Sequence, residues 1–126
     1  MRCAVVTCEV GSGEIPDAIG WKYDGRSILV ECKASRADFL SDKNKPWRRC
    51  PAIGMGMLRY YMAPPGIIAL DDLPEQWGLC EVLPRIIRVR KKAEPFLRGQ
   101  WELGEWYERR LLISLLWRKE HLPAEG

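Results

Sequence analysis

The sequence predicts a single α/β domain, bordering on α+β, in which helices flank a mixed sheet. Three features carry that expectation. Three short apolar runs, rich in β-branched residues and separated by glycine turns, occupy the chain up to Lys33. A capped helical segment and further strand-like runs follow, punctuated by proline and glycine. A long helical stretch comes last. With 126 residues, 47% of them hydrophobic, the chain suits one core and is too apolar for wholesale disorder. The whole of residues 1–126 is therefore expected to form one domain.

Ala4 to Val10 reads as the first strand and Gly11-Ser12-Gly13 as a turn. Ile15 to Trp21 is the second strand, entered through Pro16. Asp24-Gly25 is a hairpin signal, so Ser27 to Lys33 returns antiparallel to it. Ser35-Arg36-Ala37-Asp38 has the spacing of a helix cap, predicting a helix from Arg36 to Lys43. Pro46 and Pro51 bracket a basic, irregular stretch. Arg59 to Ala63, Trp77 to Leu83 and Arg85 to Arg90 are three further strands. Gly104 to Leu122 is an amphipathic helix with a wide apolar face and a Glu105–Arg109 pair at i,i+4. That face offers a homodimer surface as an alternative to core packing for Trp106 and Trp117, while Trp101 reads as a core or interface residue.

The chemistry concentrates where the second and third strands meet. Side chains alternate along a strand, so Glu31 and Lys33 share a face while Cys32 takes the other. On this reading Val30 and Cys32 line the core. Folding at Asp24-Gly25 brings Asp17 beside Glu31. Two carboxylates that close repel unless a cation lies between them. A hard divalent ion removes that cost, and magnesium favours a couple of carboxylates with water and phosphate oxygens. Lys33 can then orient or deprotonate a water and stabilise charge developing on phosphorus.

Pro16-Asp17 followed by Glu31-Cys32-Lys33 on a hairpin, with a helix after it, resembles the PD-(D/E)XK nuclease superfamily. The resemblance extends from Val6 to Arg90 and includes small phage and bacterial members such as the MmcB-like DNA-repair group. It implies a restriction-endonuclease-like sheet and a DNA-cleaving core dependent on Mg²⁺ or Mn²⁺. Asp17 and Glu31 would be metal ligands and Lys33 the catalytic lysine. Members usually carry a helix before the first strand, often with a further acidic residue. This sequence begins inside the first strand: either that helix is missing, or the start was chosen late, or Glu14, in preference to Glu9, takes over the acidic role. The implied setting is a bacterial cytoplasm or a phage-infected host, in repair, recombination or phage DNA processing.

The formal charge of +3 is a poor guide to partners, because it is unevenly spread. Lys33 to Arg49 carries +4 and Arg85 to Lys92 carries +5, leaving −6 for the rest. Ser35, Arg36, Lys43, Lys45, Trp47, Arg48 and Arg49 are thus candidate DNA contacts, cations for phosphate and an indole for stacking. Arg88, Arg90 and Lys92 either follow the nucleic acid or protect an edge strand. The five cysteines show no CxxC spacing and His121 is the lone histidine, which argues against a zinc ribbon or a disulfide scaffold. No apolar run approaches a bilayer span. A catalytically silent binding or assembly module on the same fold is the competing functional reading.

Overall fold

A computed structural model describes residue 3, the strand backbone of residues 5–8, and residues 16–121. Six strands form one sheet in sequential order: β1 (Val5–Cys8), β2 (Ala18–Trp21), β3 (Ser27–Cys32), β4 (Leu58–Ala63), β5 (Gly78–Val82) and β6 (Ile87–Lys91). The helices are α1 (Arg36–Asp42), the short α2 (Pro46–Arg49) and α3 (Glu102–His121). Strands β1, β2 and β3 run as an antiparallel meander, β3, β4 and β5 are parallel, and β6 is antiparallel to β5. The mixed sheet with flanking helices is the architecture the sequence predicts.

Local chemistry explains the early elements. Gly25, at φ +88°, closes the β2–β3 turn in a conformation that costs a glycine little. The Ser35 hydroxyl accepts the Asp38 N–H at 3.1 Å and starts α1, as the cap spacing predicts. The stretch expected to be irregular is instead ordered by its prolines. Pro46 begins α2 and Pro51 begins a 3₁₀ turn (Pro51–Ile53), where a missing N–H costs nothing.

One sheet face carries the principal core. Ile19, Trp21, Leu29, Tyr61 and Leu79 meet Phe39 of α1, Leu111 of α3, and Met55, Ile68 and Trp77 from the connections. Glu31 lies on this face, because it follows Leu29 at the strand period. The expected assignment of Val30 and Cys32 to the main core is therefore corrected. Val30 packs against a smaller cluster of Ile28, Tyr60 and Cys80 on the opposite face, and Cys32 is exposed. The helices, which the strand sequence does not reveal, decide which face becomes the larger core.

The last helix departs most from expectation. It begins two residues early and buries Gly104, Glu108 and Leu111, while Leu103, Trp106, Ile113, Leu116 and Trp117 remain exposed. Tyr107, Leu111, Leu112 and Leu115 form a face packed on the core, as expected, but further apolar residues lie around the rest of the helix. Glu105 and Arg109 make no ion pair, since none joins them among the described residues. Trp101, just before α3, is buried as predicted. Gly104 lets α3 approach the Pro51–Ile53 turn so closely that an added Cβ would overlap the Gly54 carbonyl. Gly104→Ala is therefore expected to destabilise the protein by about 1–3 kcal/mol. Trp117→Ala, on the exposed side, should stay within about 0.5 kcal/mol. Urea unfolding of both variants checks the contact, and an unchanged Gly104→Ala midpoint would refute it.

Candidate functional site

The antiparallel register pairs Ala18 with Val30 and Ile19 with Leu29, so Asp17 comes opposite Glu31 at the end of the hairpin. The approach is direct. Asp17 donates its backbone N–H to Glu31 Oε1 at 3.4 Å, and Asp17 Oδ2 accepts the Cys32 N–H at 2.8 Å. Asp17 is half-buried and Glu31 buried. These are the two carboxylates that the sequence reading assigns to a divalent cation. Glu14, the third acidic candidate, and its alternative Glu9 lie outside the described residues. Among the described residues no group of three or more His, Cys, Asp or Glu side chains is placed to hold a metal.

Lys33 continues the line of β3, its N–H donating to the Met62 carbonyl at 2.9 Å. Its ammonium turns to Asp42, with Nζ 3.3 Å from Oδ1. Asp42 is the centre of the site and is fully buried. Lys45 Nζ reaches the same oxygen at 3.0 Å, while Oδ2 accepts Arg48 Nε–H at 2.8 Å and the Tyr61 hydroxyl. Arg48 Nη2 then lies 3.4 Å from Glu31 Oε1. Asp17, Glu31, Arg48, Asp42 and Lys33 therefore form one chain of contacts. The Arg48 guanidinium stacks 4.5 Å from the Trp77 ring centroid, and Trp77 stacks on Tyr61 at 4.4 Å. Packing thus fixes the charged groups.

Electrostatics explains how a carboxylate survives this depth. Burial alone raises the Asp42 carboxyl pKa, but the Arg48 charge and hydrogen bonds from Tyr61, Arg48 and Lys45 outweigh it. The carboxyl sits at about 2, against an ordinary 3.8. Burial raises the Tyr61 phenol well above its usual value, the Arg48 charge opposing and the hydrogen bond to Asp42 reinforcing that shift. Tyr61 is consequently a donor to Asp42 at any pH the fold tolerates.

The predicted DNA contacts separate. Arg48 is buried in the ionic chain, so its expected role as an outward clamp is corrected: its charge is needed inside. Lys45 is committed to Asp42 and lies 5.8 Å from the Trp47 ring centroid. Arg36 pairs with Asp72 at 2.9 Å, and Ser35 caps α1. Lys43 lies over Phe39, Trp47 is half-buried, and Arg49 is exposed, reaching Asn44 at 3.4 Å. On β6, Arg88 and Arg90 both engage Glu81, at 2.8 and 3.2 Å. The Arg88 hydrogen bond and the Gly66 N–H hold the Glu81 carboxyl below its usual range. The sequence alone does not single out Asp42 and Tyr61, although one signal is present. Phe39 and Asp42 are three apart and so share the inward side of α1.

No family model and no curated protein matches the chain. Among solved structures, a protein of unknown function from Silicibacter pomeroyi is similar, with a TM-score of 0.60 and 18% identity. The match covers 97% of this chain and 83% of that one. The similarity is one of fold. No helix among the described residues is long and apolar enough to cross a membrane.

The lowered Asp42 pKa is a stability statement. The folded value lies below the unfolded one, so ionised Asp42 contributes stability above about pH 4, lost as pH falls towards 2. The shift corresponds to about 2 kcal/mol. Asp42→Asn is expected to remove that pH dependence and to destabilise at neutral pH by about 3–5 kcal/mol, because Arg48 loses its buried counter-charge. Urea unfolding across pH 2.5–7 measures both effects, with 2.5 chosen to lie near the folded pKa of about 2.

Proposed function

We propose that the protein is a divalent-metal-dependent DNA endonuclease of the PD-(D/E)XK type. The observation carrying this reading is the β2–β3 register that sets Asp17 against Glu31, with Lys33 two residues on and held through Asp42 to the same cluster. An antiparallel meander, a capped helix and then a parallel strand agree with the architecture the resemblance implies.

The donor set suits Mg²⁺ or Mn²⁺, since two adjacent carboxylates leave room for water and phosphate oxygens. Asp17 and Glu31 would hold the ion, which supplies Lewis acidity towards a phosphoryl oxygen. Lys33 orients the attacking water or stabilises the charge that gathers on phosphorus. A water oxygen–phosphorus bond forms and a phosphodiester P–O bond breaks, leaving a phosphate monoester and a hydroxyl. Lys43, Trp47 and Arg49, next to this cluster in sequence, remain the DNA-backbone contacts of this reading, without Arg48.

A non-catalytic nucleic-acid-binding module is the second reading. It is favoured by the Arg48–Glu31 and Lys33–Asp42 contacts, which give both groups partners before any substrate arrives. Incubation with single-stranded, duplex and branched DNA, with Mg²⁺ or Mn²⁺ and with chelator, separates the two. The nuclease reading expects cleavage that chelator abolishes and that Asp17→Ala and Lys33→Ala each lower by about a hundredfold or more, with circular dichroism unchanged. DNA retained in a salt-dependent manner, uncut and indifferent to Asp17→Ala, would establish the binding module instead.

A further inference from the structure

At the other end of the β2–β3 hairpin, between its turn and α3, lies an open cleft of about 870 Å³. The four residues of β2 separate it from Asp17, roughly 13 Å along the strand. Its size suits a small organic ligand. Trp21, Trp101, Met57 and Leu112 provide apolar lining.

Two independent features of this cleft point to a ligand. Lys22, Arg98 and Arg109 line it, and none of them is in an ion pair among the described residues. Other described cations, such as Arg85, Lys91, Lys92 and Arg118, also lack ion pairs among the described residues, but Lys22, Arg98 and Arg109 line a single cleft. Second, Trp101 is only 5% exposed, yet its indole N–H has no acceptor among the described residues. A buried donor left unsatisfied is unfavourable, and an acceptor supplied by a ligand removes that cost. The neighbouring Trp21 indole shows the contrast, donating to Glu108 Oε1 at 3.0 Å.

The carboxylates of the cleft do not neutralise this pattern. Glu108 is occupied: its Oε2 accepts the Ser27 hydroxyl at 2.9 Å and the Gly56 N–H at 2.6 Å, in addition to the Trp21 bond on Oε1. Glu105 is the one acidic side chain in the lining besides Glu108, against three cations. The complementary ligand is therefore planar and apolar in one part, carries a hydrogen-bond acceptor, and ends in an anion. We infer that this cleft binds a nucleotide moiety, with its base against the apolar lining and, once the Trp101 ring turns towards it, on Nε1–H, and its phosphate among Lys22, Arg98 and Arg109. The source is either a free nucleoside monophosphate or the single-stranded end of a nucleic acid.

Calorimetry on the full chain, in chelator so that no cleavage occurs, tests this with deoxyadenosine monophosphate, a 5′-phosphorylated oligothymidylate and inorganic phosphate. The Trp101 indole ¹H–¹⁵N signal, assigned with Trp101→Phe, reports the contact. Saturable nucleotide binding is expected, together with movement of that signal. Affinity should fall about tenfold or more in Arg98→Ala/Arg109→Ala, both positions being exposed. It should be unchanged in Arg118→Ala/Lys119→Ala. Comparable affinity for monophosphate and oligonucleotide identifies a free nucleotide as the ligand, whereas binding of the oligonucleotide alone identifies a strand end. The inference is overturned by absence of saturable binding, a stationary Trp101 signal at saturation, indifference to the Arg98/Arg109 change, or equal affinity for inorganic phosphate. None of these outcomes depends on whether the protein cleaves DNA.

Discussion

The structure depends above all on one buried carboxylate. Asp42 gathers Arg48, Lys45, Lys33 and Tyr61 around its two oxygens, and these partners come from three stretches of chain: α2 with its cap, the end of β3, and β4. Helices of seven and four residues have little stability of their own. Asp42 ties α1 to α2 through Arg48 and to β4 through Tyr61, and Arg48 carries the connection on to Glu31 of β3. A group at this depth is tolerable only if every charge is answered, so the node is exacting as well as cohesive. It also fixes where Glu31 and Lys33 can point, which makes the candidate site an outgrowth of the core.

A second carboxylate shows the opposite chemistry. Burial pushes Glu108 up, and its direct donors, the Gly56 N–H, Ser27 hydroxyl and Trp21 indole, are all neutral. Asp42 has cations in contact and is held low. The environments of two buried acids thus push their pKa values apart. Glu108 fastens α3 to the turn end of the hairpin, where Gly56, at φ +91°, aims its N–H at the carboxylate. Arg59, fully buried, completes this region by donating to the Gly56, Pro51 and Gly54 carbonyls and stacking on Phe96.

Legibility in the sequence followed the range of the interaction. The Ser35 cap, the Gly25 turn and the Asp17–Glu31 pairing are set by neighbours a few residues away or across one hairpin, and all three could be read directly. Arg48 could not. Its basic neighbours suggest a surface, and only the return of β4 with Tyr61 and the approach of Trp77 reveal an interior for it. The core face of β3 is illegible for the same reason, since alternation separates Leu29 from Val30 without saying which side the helices will cover. In α3 the apolar positions are abundant, but full burial falls on Gly104, Glu108 and Leu111, with Tyr107, Leu112 and Leu115 packed beside them, a selection made by the Gly54 turn and the hairpin.

The reach of Glu108 also bears on synthesis. Its hydrogen bonds to Trp21, Ser27 and Gly56 span 87, 81 and 52 residues of chain. On a ribosome adding about 5–20 residues per second, the hairpin waits roughly 4–17 seconds for that carboxylate. In that interval the Trp21 indole, the Ser27 hydroxyl and the Gly56 N–H are without the carboxylate that accepts from them in the folded chain. Vectorial production of this chain therefore delays closure of its core until the final helix has emerged.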